Sequence, residues 1–216
     1  MYYYYEPDKA DHGLPHDPLK ALVVPRPIAW ISTIDQRGCV NLAPYSFFNL
    51  VAGDPPCVMF ASTSRADGTK KDSHLNAERS GEFVINIVSG DQIDAMMTTS
   101  LDFPSGHNEF DEASLAALPS VLVRPPRVAG APAHLECRYL KTVELPSNDP
   151  KHINSMILGI VAAVHIDDAI IVDGHVSIER LRPVGRLGYR DYAVVQVGFV
   201  KEPAASPALL TGSYEG

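Results

Sequence analysis

The densest concentration of chemically useful side chains is Ser62-Thr-Ser-Arg-Ala-Asp-Gly-Thr-Lys-Lys-Asp-Ser73, which places Arg65, Lys70 and Lys71 within seven positions. At the chain's average content of Lys and Arg, about 0.6 basic residues would be expected in such a window. Ser62, Thr63, Ser64 and Ser73 add hydroxyl donors, and Lys71-Asp72-Ser73 stands where a helix is predicted to begin. Hydroxyls, a lysine and the free N–H groups of a helix start are what a phosphate monoester dianion needs, because each donates to oxygen without adding negative charge. The plainer alternative is a capped, solvated turn, since Ser and Asp are ordinary cap residues, and spacing alone leaves both readings open.

A second segment, Asn41-Leu-Ala-Pro-Tyr-Ser-Phe-Phe-Asn49, carries amides and hydroxyls on an apolar aromatic stretch, beside a proline that frees backbone groups from sheet pairing. It suits the edge of a flat heteroaromatic ligand, or equally a bulged core strand with Phe47 and Phe48 on opposite faces. Other chemistries lack their signatures. There is no G-x-G-x-x-G after a strand, no G-x-x-x-x-G-K-[ST], no G-x-S-x-G and no H-E-x-x-H. The eight histidines are dispersed, with His134 and His165 on predicted strands, so no metal site is expected. Cys39, Cys57 and Cys137 form an odd, widely spaced set that reads as reduced, mostly buried thiols.

The elements that must position these residues are mainly strands. Pro25 to Asp35 reads as a strand ending in the turn Asp35-Gln-Arg-Gly38, and Val40 to Val51 as a second strand broken around Ala43-Pro44 by a bulge or an edge. Cys57 to Ala61 and Phe83 to Val88 follow as strands, with a short helix over Asp72 to Arg79 stopped by Gly81. Helices are predicted over Ile93 to Leu101 and Glu112 to Leu118, each with a proline beyond it. Leu135 to Leu145 alternates apolar and polar residues, the period of a strand with one wet face, whereas Ser155 to Ile166 is apolar on both parities and predicts a central strand. Ala169 to Val172, Val176 to Ile178 and Tyr192 to Val200 bring the strands to at least seven. Strands dominate and helices are insertions, which predicts a mainly β, α+β fold built on a closed or partly closed antiparallel barrel.

With 216 residues the chain is expected to form a single domain over 1–216, with 1–13 as an N-terminal arm and 201–216 as a C-terminal tail. The four tyrosines after Met1 read as an arm, either packed on the surface, which general terminus behaviour favours, or laid across a pocket or a partner subunit. A net charge of −8 opposes nucleic acid and anionic bilayers, and the apolar runs fall short of the roughly 20 residues that cross a membrane. Without a basic and apolar leader at the start, the expected location is cytoplasmic.

Pro25-Arg-Pro-Ile-Ala-Trp-Ile-Ser-Thr33, Asn41 to Asn49, Asp54-Pro-Pro56, Lys71-Asp-Ser73, Gly81-Glu-Phe-Val-Ile-Asn86, Arg186-Leu-Gly-Tyr189 and Asp191-Tyr-Ala193 together resemble the flavin reductase-like, FMN-binding split-barrel family, in family order and over about Leu14 to Val200. The resemblance implies a six-stranded, antiparallel, Greek-key type split β-barrel with added strands and inserted helices, a homodimer, and FMN near the dimer interface. It favours the branch containing flavoredoxin-like and flavin reductase proteins. It further implies that Ser62, Thr63, Ser64, Arg65, Lys71, Asp72 and Ser73 hold the FMN phosphate. Asn41, Ala43, Pro44, Tyr45, Ser46 and Asn49 would then edge the isoalloxazine, with Trp30 a further candidate for the same contact. No catalytic acid or base is implied, because hydride transfer from NAD(P)H as co-substrate is flavin chemistry. A non-enzymatic FMN electron carrier is the alternative, and a monooxygenase or an electron-transfer protein would be the macromolecular partner. Gly188-Tyr189 departs from the two glycines found in many members, which puts the pocket mouth in question.

Overall fold

The computed structural model describes residues 2–9 and 12–201. Of the expected C-terminal tail only Lys201 is included, so 202–216 lie outside the described residues. In chain order the regular elements are α1 (Leu19–Leu22), β1 (Arg26–Pro27), β2 (Ala29–Ile34), β3 (Val40–Tyr45), β4 (Phe48–Gly53), β5 (Pro56–Thr63), α2 (Asp72–Ser80), β6 (Glu82–Ile87), α3 (Ile93–Thr98) and α4 (Glu109–Glu112). They continue with β7 (Ala117–Leu118), β8 (Arg127–Val128), β9 (Ala133–Leu145), β10 (Asn154–Ile166), β11 (Ile171–Val172), β12 (His175–Val176), α5 (Ile178–Leu181), β13 (Val184–Arg186) and β14 (Tyr192–Val194).

Seven strands form one antiparallel sheet in the order β3-β2-β6-β9-β10-β5-β4. Its two edge strands, β3 and β4, are consecutive in the chain and joined only through Ser46 and Phe47, so the sheet must curl to bring its edges together. Tyr45 on β3 meets Phe60 on β5 at 5.0 Å between ring centroids, and Phe60 meets Phe83 at 5.5 Å, filling the curl with aromatic contacts. Gly159 in β10 makes room for this packing, because a Cβ there would lie 2.4 Å from the Phe83 ring. Strand β2 is covered on both sides: Ala29 and Ile31 enter the core that α2 closes through Ala77, whereas Ile28 and Trp30 enter a second core with Leu42, Met96 and Phe110.

Several local expectations change. The second predicted strand breaks at Ser46 and Phe47 and not at Pro44, which pairs with Trp30. Proline is tolerated there because β3 is an edge. The helix expected over Glu112 to Leu118 ends after Glu112, with Ser114 in the left-handed region at φ 53°. The chain then extends so that Ala117–Leu118 pairs with Arg127–Val128. Ala169 to Val172 and Val176 to Ile178 reduce to a two-residue ladder, β11 with β12, and Tyr192 to Val200 reduces to β14, which pairs along the three residues of β13.

The predicted wet face of β9 is dry over its first half. Glu136 is fully buried and His134 nearly so, because the segment before β8 folds over them. Glu136 accepts from the N–H groups of Val121 (2.8 Å) and Leu122 (2.6 Å) and meets His165 Nε2 at 2.6 Å. Burial alone would raise its pKa, but these hydrogen bonds hold it below the usual carboxylate range. His134 Nδ1 meets Asn86 Oδ1 at 2.8 Å, an oxygen that also accepts from Val128 N–H, so the imidazole is a neutral donor through Nδ1. Burial, with Arg127 and His165 adding positive charge, lowers its pKa from 6.5 to about 4.

A histidine of depressed pKa favours folding fully above its unfolded value and loses that contribution as pH falls toward the folded one. Stability is therefore expected to drop between pH 6.5 and about 4, by up to about 3 kcal/mol from His134. Urea unfolding at pH 7 and pH 5 checks this, and His134→Gln should flatten the dependence. Equal midpoints for the wild-type chain at the two pH values would refute it.

Candidate functional site

Helix α2 begins where β5 has left the sheet and its loop has turned back. Asp72 is the first helical residue, and Gly81, at φ 74°, stops the helix with its N–H on Ala77 O. At that start the N–H groups of Asp72, Ser73 and His74 have no partner within the helix. A cleft of about 260 Å³ opens there, walled on one side by Asn41, Ala43, Pro44 and Tyr45 of β3, and on the other by the segment from Thr99 to Phe103.

The three basic residues of the loop have different fates. Lys70 Nζ binds both Glu78 oxygens, at 2.9 and 2.8 Å, on the far side of the helix start. Arg65 is also committed: it donates to Asp72 (3.3 Å), Asp102 (3.0 Å) and the carbonyl of Phe103 (3.0 Å). Lys71 lines the cleft and its ammonium makes no ion pair among the described residues. Asp72 turns its carboxylate to Arg65, Ser105 Oγ (2.8 Å) and Gly106 N–H (3.3 Å), so it organises the wall and offers a ligand only its backbone N–H.

Ser73 Oγ accepts from Asn41 Nδ2 at 2.9 Å, which leaves the hydroxyl hydrogen of Ser73 to donate elsewhere. The Tyr45 hydroxyl lies near Ser62 and Ser73, is buried and makes no hydrogen bond of acceptable geometry among the described residues. Burial raises its pKa, against the influence of the neighbouring serines. A buried hydroxyl without a partner is costly, and Tyr45 lines the same cleft as Lys71 and the start of α2. This donor set fits a phosphate monoester.

Not all of the expected residues reach the cleft. Ser62 is buried on β5 and Thr63 exposed, and neither lines it, whereas Ser64 does and ties Ile153 N–H with its Oγ at 3.1 Å. Asn49 lies on exposed β4 and bonds the N–H of Leu50. Trp30 is fully buried and acts from behind: its Nε1 donates to Thr99 Oγ1 at 2.8 Å, fixing a residue of the opposite wall.

Sequence reasoning missed that wall, Thr99 to Phe103, as well as Glu109. The hydroxyl-rich run Thr98-Thr-Ser100 was the only signal there, and it reads as a helix end. Glu109 is buried at the start of α4, where its Oε2 accepts from Leu42 N–H at 2.8 Å and so caps the open edge of β3. Burial raises its pKa, with the Leu42 hydrogen bond working against it.

Pro44 and Ser100 also line a wider cleft of about 660 Å³ whose other walls include Arg26, Phe47, Met96, Arg186, Tyr189 and Tyr192. Ser46 lies here and not in the narrow cleft. At the mouth, Gly188 sits so close to α1 that a Cβ would come within 2.4 Å of Ala21 Cβ. Tyr189 holds φ 55°, a conformation that favours glycine, and its ring meets His16 at 5.8 Å. The tyrosine is thus accommodated in a glycine-like turn and lines the wide cleft. Tyr2, Tyr3 and Tyr4 are exposed and line neither cleft.

Glu109→Ala is expected to cost about 1–3 kcal/mol of stability, because the buried Leu42 N–H loses its acceptor. Glu109→Gln, which keeps an oxygen there, should cost less. Urea denaturation of both variants measures the difference, and an alanine variant as stable as the wild type would remove Glu109 from this role.

Residues 21–175 match the model of the flavin reductase like domain. An uncharacterized protein of Aquifex aeolicus is 39% identical over 172 residues, which cover 79% of this chain and 85% of the relative. Among solved structures, nitrilotriacetate monooxygenase component B from Bacillus cereus superimposes with a TM-score of 0.86 at 26% identity, over 93% of this chain and 99% of that one. Flavoredoxin of Desulfovibrio vulgaris shares the fold, with a TM-score of 0.71 at 20% identity over 85% and 93% of the two chains. The curled seven-stranded sheet is accordingly the split barrel, and the chain belongs to the flavin reductase-like, FMN-binding split-barrel family.

Proposed function

We propose that this protein is an FMN-dependent oxidoreductase that takes a hydride from NAD(P)H, with the FMN phosphate held at the start of α2. The observation that carries this is the meeting of an unpaired Lys71, the Ser73 hydroxyl and the orphaned Tyr45 hydroxyl at a nine-residue helix start. Bound FMN supplies the hydride-accepting ring and passes its electrons onward. The protein's part is to bind and orient. Lys71 and Ser73 anchor the phosphate, Asn41 keeps Ser73 turned to its task, and Ala43 to Ser46 lead from the narrow cleft to the wide one. Arg65 offsets the charges of Asp72 and Asp102, which would otherwise repel a phosphate. The wide cleft is large enough for a nicotinamide or a second flavin beside the ring. The name of the Bacillus cereus relative supports a monooxygenase as the eventual user of the electrons.

The active form is a homodimer in this reading. Leu50 and Val51 on the edge strand β4 and Val164 and Ile166 on β10 are exposed apolar residues, a surface that an isologous contact would cover. Light scattering should report about twice the 23.5 kDa chain mass. A monomer at micromolar concentration with undiminished FMN affinity would count against it.

Lys71→Ala is expected to weaken FMN about 10- to 100-fold while hardly changing riboflavin, which has the same ring without phosphate. Parallel titrations on folded variants decide the matter, and equal losses for both ligands would dismiss the phosphate assignment. Consumption of NAD(P)H with free FMN tests the reaction itself. A tightly held flavin reduced only by a protein donor would instead identify an electron carrier.

A further inference from the structure

In the wide cleft two arginines face each other, and no carboxylate among the described residues pairs with either. Arg26 and Arg186 are direct partners across the β1–β13 pair, where like charges are destabilising. Neither forms an ion pair among the described residues. The cleft also contains Lys20 and one carboxylate, Asp17, which accepts from Leu19 N–H at 3.0 Å. Three cations against one anion is a strong local imbalance in a chain whose net charge is −8.

Arg26 is 8% exposed and is held by three carbonyls: Lys20 O at 2.5 Å, Val23 O at 2.7 Å and Leu187 O at 3.0 Å. Its Nε is buried without an acceptor. Burial, with the charge of Arg186 added, lowers its pKa. The buried guanidinium is a fixed source of positive field that carbonyl dipoles only partly answer. Arg186 is placed to use that field. Its Cζ lies 4.4 Å over the Tyr192 ring, one Nη donates to Tyr189 O, and its Nε and other Nη make no hydrogen bond among the described residues. An arginine oriented in advance loses little freedom on binding.

We infer that Arg186, backed by Arg26, is the anion-holding residue of the wide cleft, taking a carboxylate or phosphate group of a co-substrate whose planar ring is received by Phe47 and Tyr189. The charge argument stands on the two arginines alone; only the identification of the ligand as a co-substrate rests on the flavin reading.

Two matched pairs test it by calorimetry on the full chain, with and without added FMN. They are benzoate against benzamide, and nicotinamide mononucleotide against nicotinamide riboside. The wild-type protein should prefer the charged member of one pair by about tenfold, and Arg186→Gln should abolish that preference while leaving the other member within about twofold. Arg186→Lys should restore part of it. Preference within the benzoate pair assigns a carboxylate, and preference within the nucleotide pair a phosphate. Without added FMN, Lys71→Ala must leave either preference intact, since a loss there would mean the probe occupies the narrow cleft and would overturn the assignment. No preference in either pair, or one that survives Arg186→Gln, overturns it as well. If Arg186→Gln does not fold, the wild-type preference must shrink as salt rises, and a salt-independent preference has the same adverse meaning. FMN binding is followed separately by flavin fluorescence. A chain that binds no FMN yet keeps the anion preference refutes the flavin reading alone, and the reverse result refutes only the arginine site.

Discussion

The Asp72 carboxylate is the point at which the narrow cleft is assembled. It sits at the first position of α2, where the helix dipole favours a negative charge, and receives Arg65, Ser105 Oγ and the N–H of Gly106. Arg65 continues the link to Asp102 and the carbonyl of Phe103. One side chain thereby joins the loop after β5, the start of α2 and the segment after α3, three stretches with no sheet pairing between them. Hydrogen bonds to charged groups contribute about 1.5–3 kcal/mol each, and those to the buried Asp72 carboxylate are shielded enough from water to hold a wall in place. With Asp72 turned outward into this network, Lys71 and Ser73 are left facing the cleft.

The opposite wall depends on burial. Trp30 lies in the second core and reaches Thr99 with its only polar atom, while Thr99 Oγ1 donates to Met96 O at 2.8 Å and anchors the end of α3. Glu109 closes the other end of the wall by satisfying the edge of β3. The two clefts share Pro44 and Ser100, so the ridge between them is set by an edge-strand proline and a residue adjacent to that anchor. The same economy of edges shapes the barrel. Because β3 and β4 are both edges and are joined by two residues, the curl of the sheet and the position of Ser46 at the wide cleft are one geometric fact.

Buried polar groups elsewhere do similar work at a distance from the clefts. Asn86 accepts from Val128 N–H, meets His134 and donates to Trp30 O at 2.9 Å, connecting the cover over β9 to the strand that carries the tryptophan. Each partner is satisfied, which is what allows a charged Glu136 to stay inside a sheet protein.

What the sequence by itself determined is local in range. A β-branched and aromatic run ending in a turn marks β2, alternation marks β9, and apolarity on both parities marks β10, while Lys71-Asp72-Ser73 followed by Gly81 bounds α2 to within one residue and the ordered motifs identify the family. The basic cluster was legible as composition, but which cation stays free was not. Lys70, Lys71 and Arg65 are equivalent on the page, and only the fold brings Glu78 to Lys70 and Asp72 and Asp102 to Arg65. The same holds for Trp30, whose motif suggests a ligand contact although both faces of β2 are covered, and for Glu136, whose alternation reads as wet because nothing nearby announces that residues 120–126 fold over it. Arg26 and Arg186 stand 160 positions apart and become neighbours through the β1–β13 register. Periodicity and capping report the free energy of a segment against water. Charge pairing and burial report its free energy against other segments, and those partners exist only once the barrel has closed.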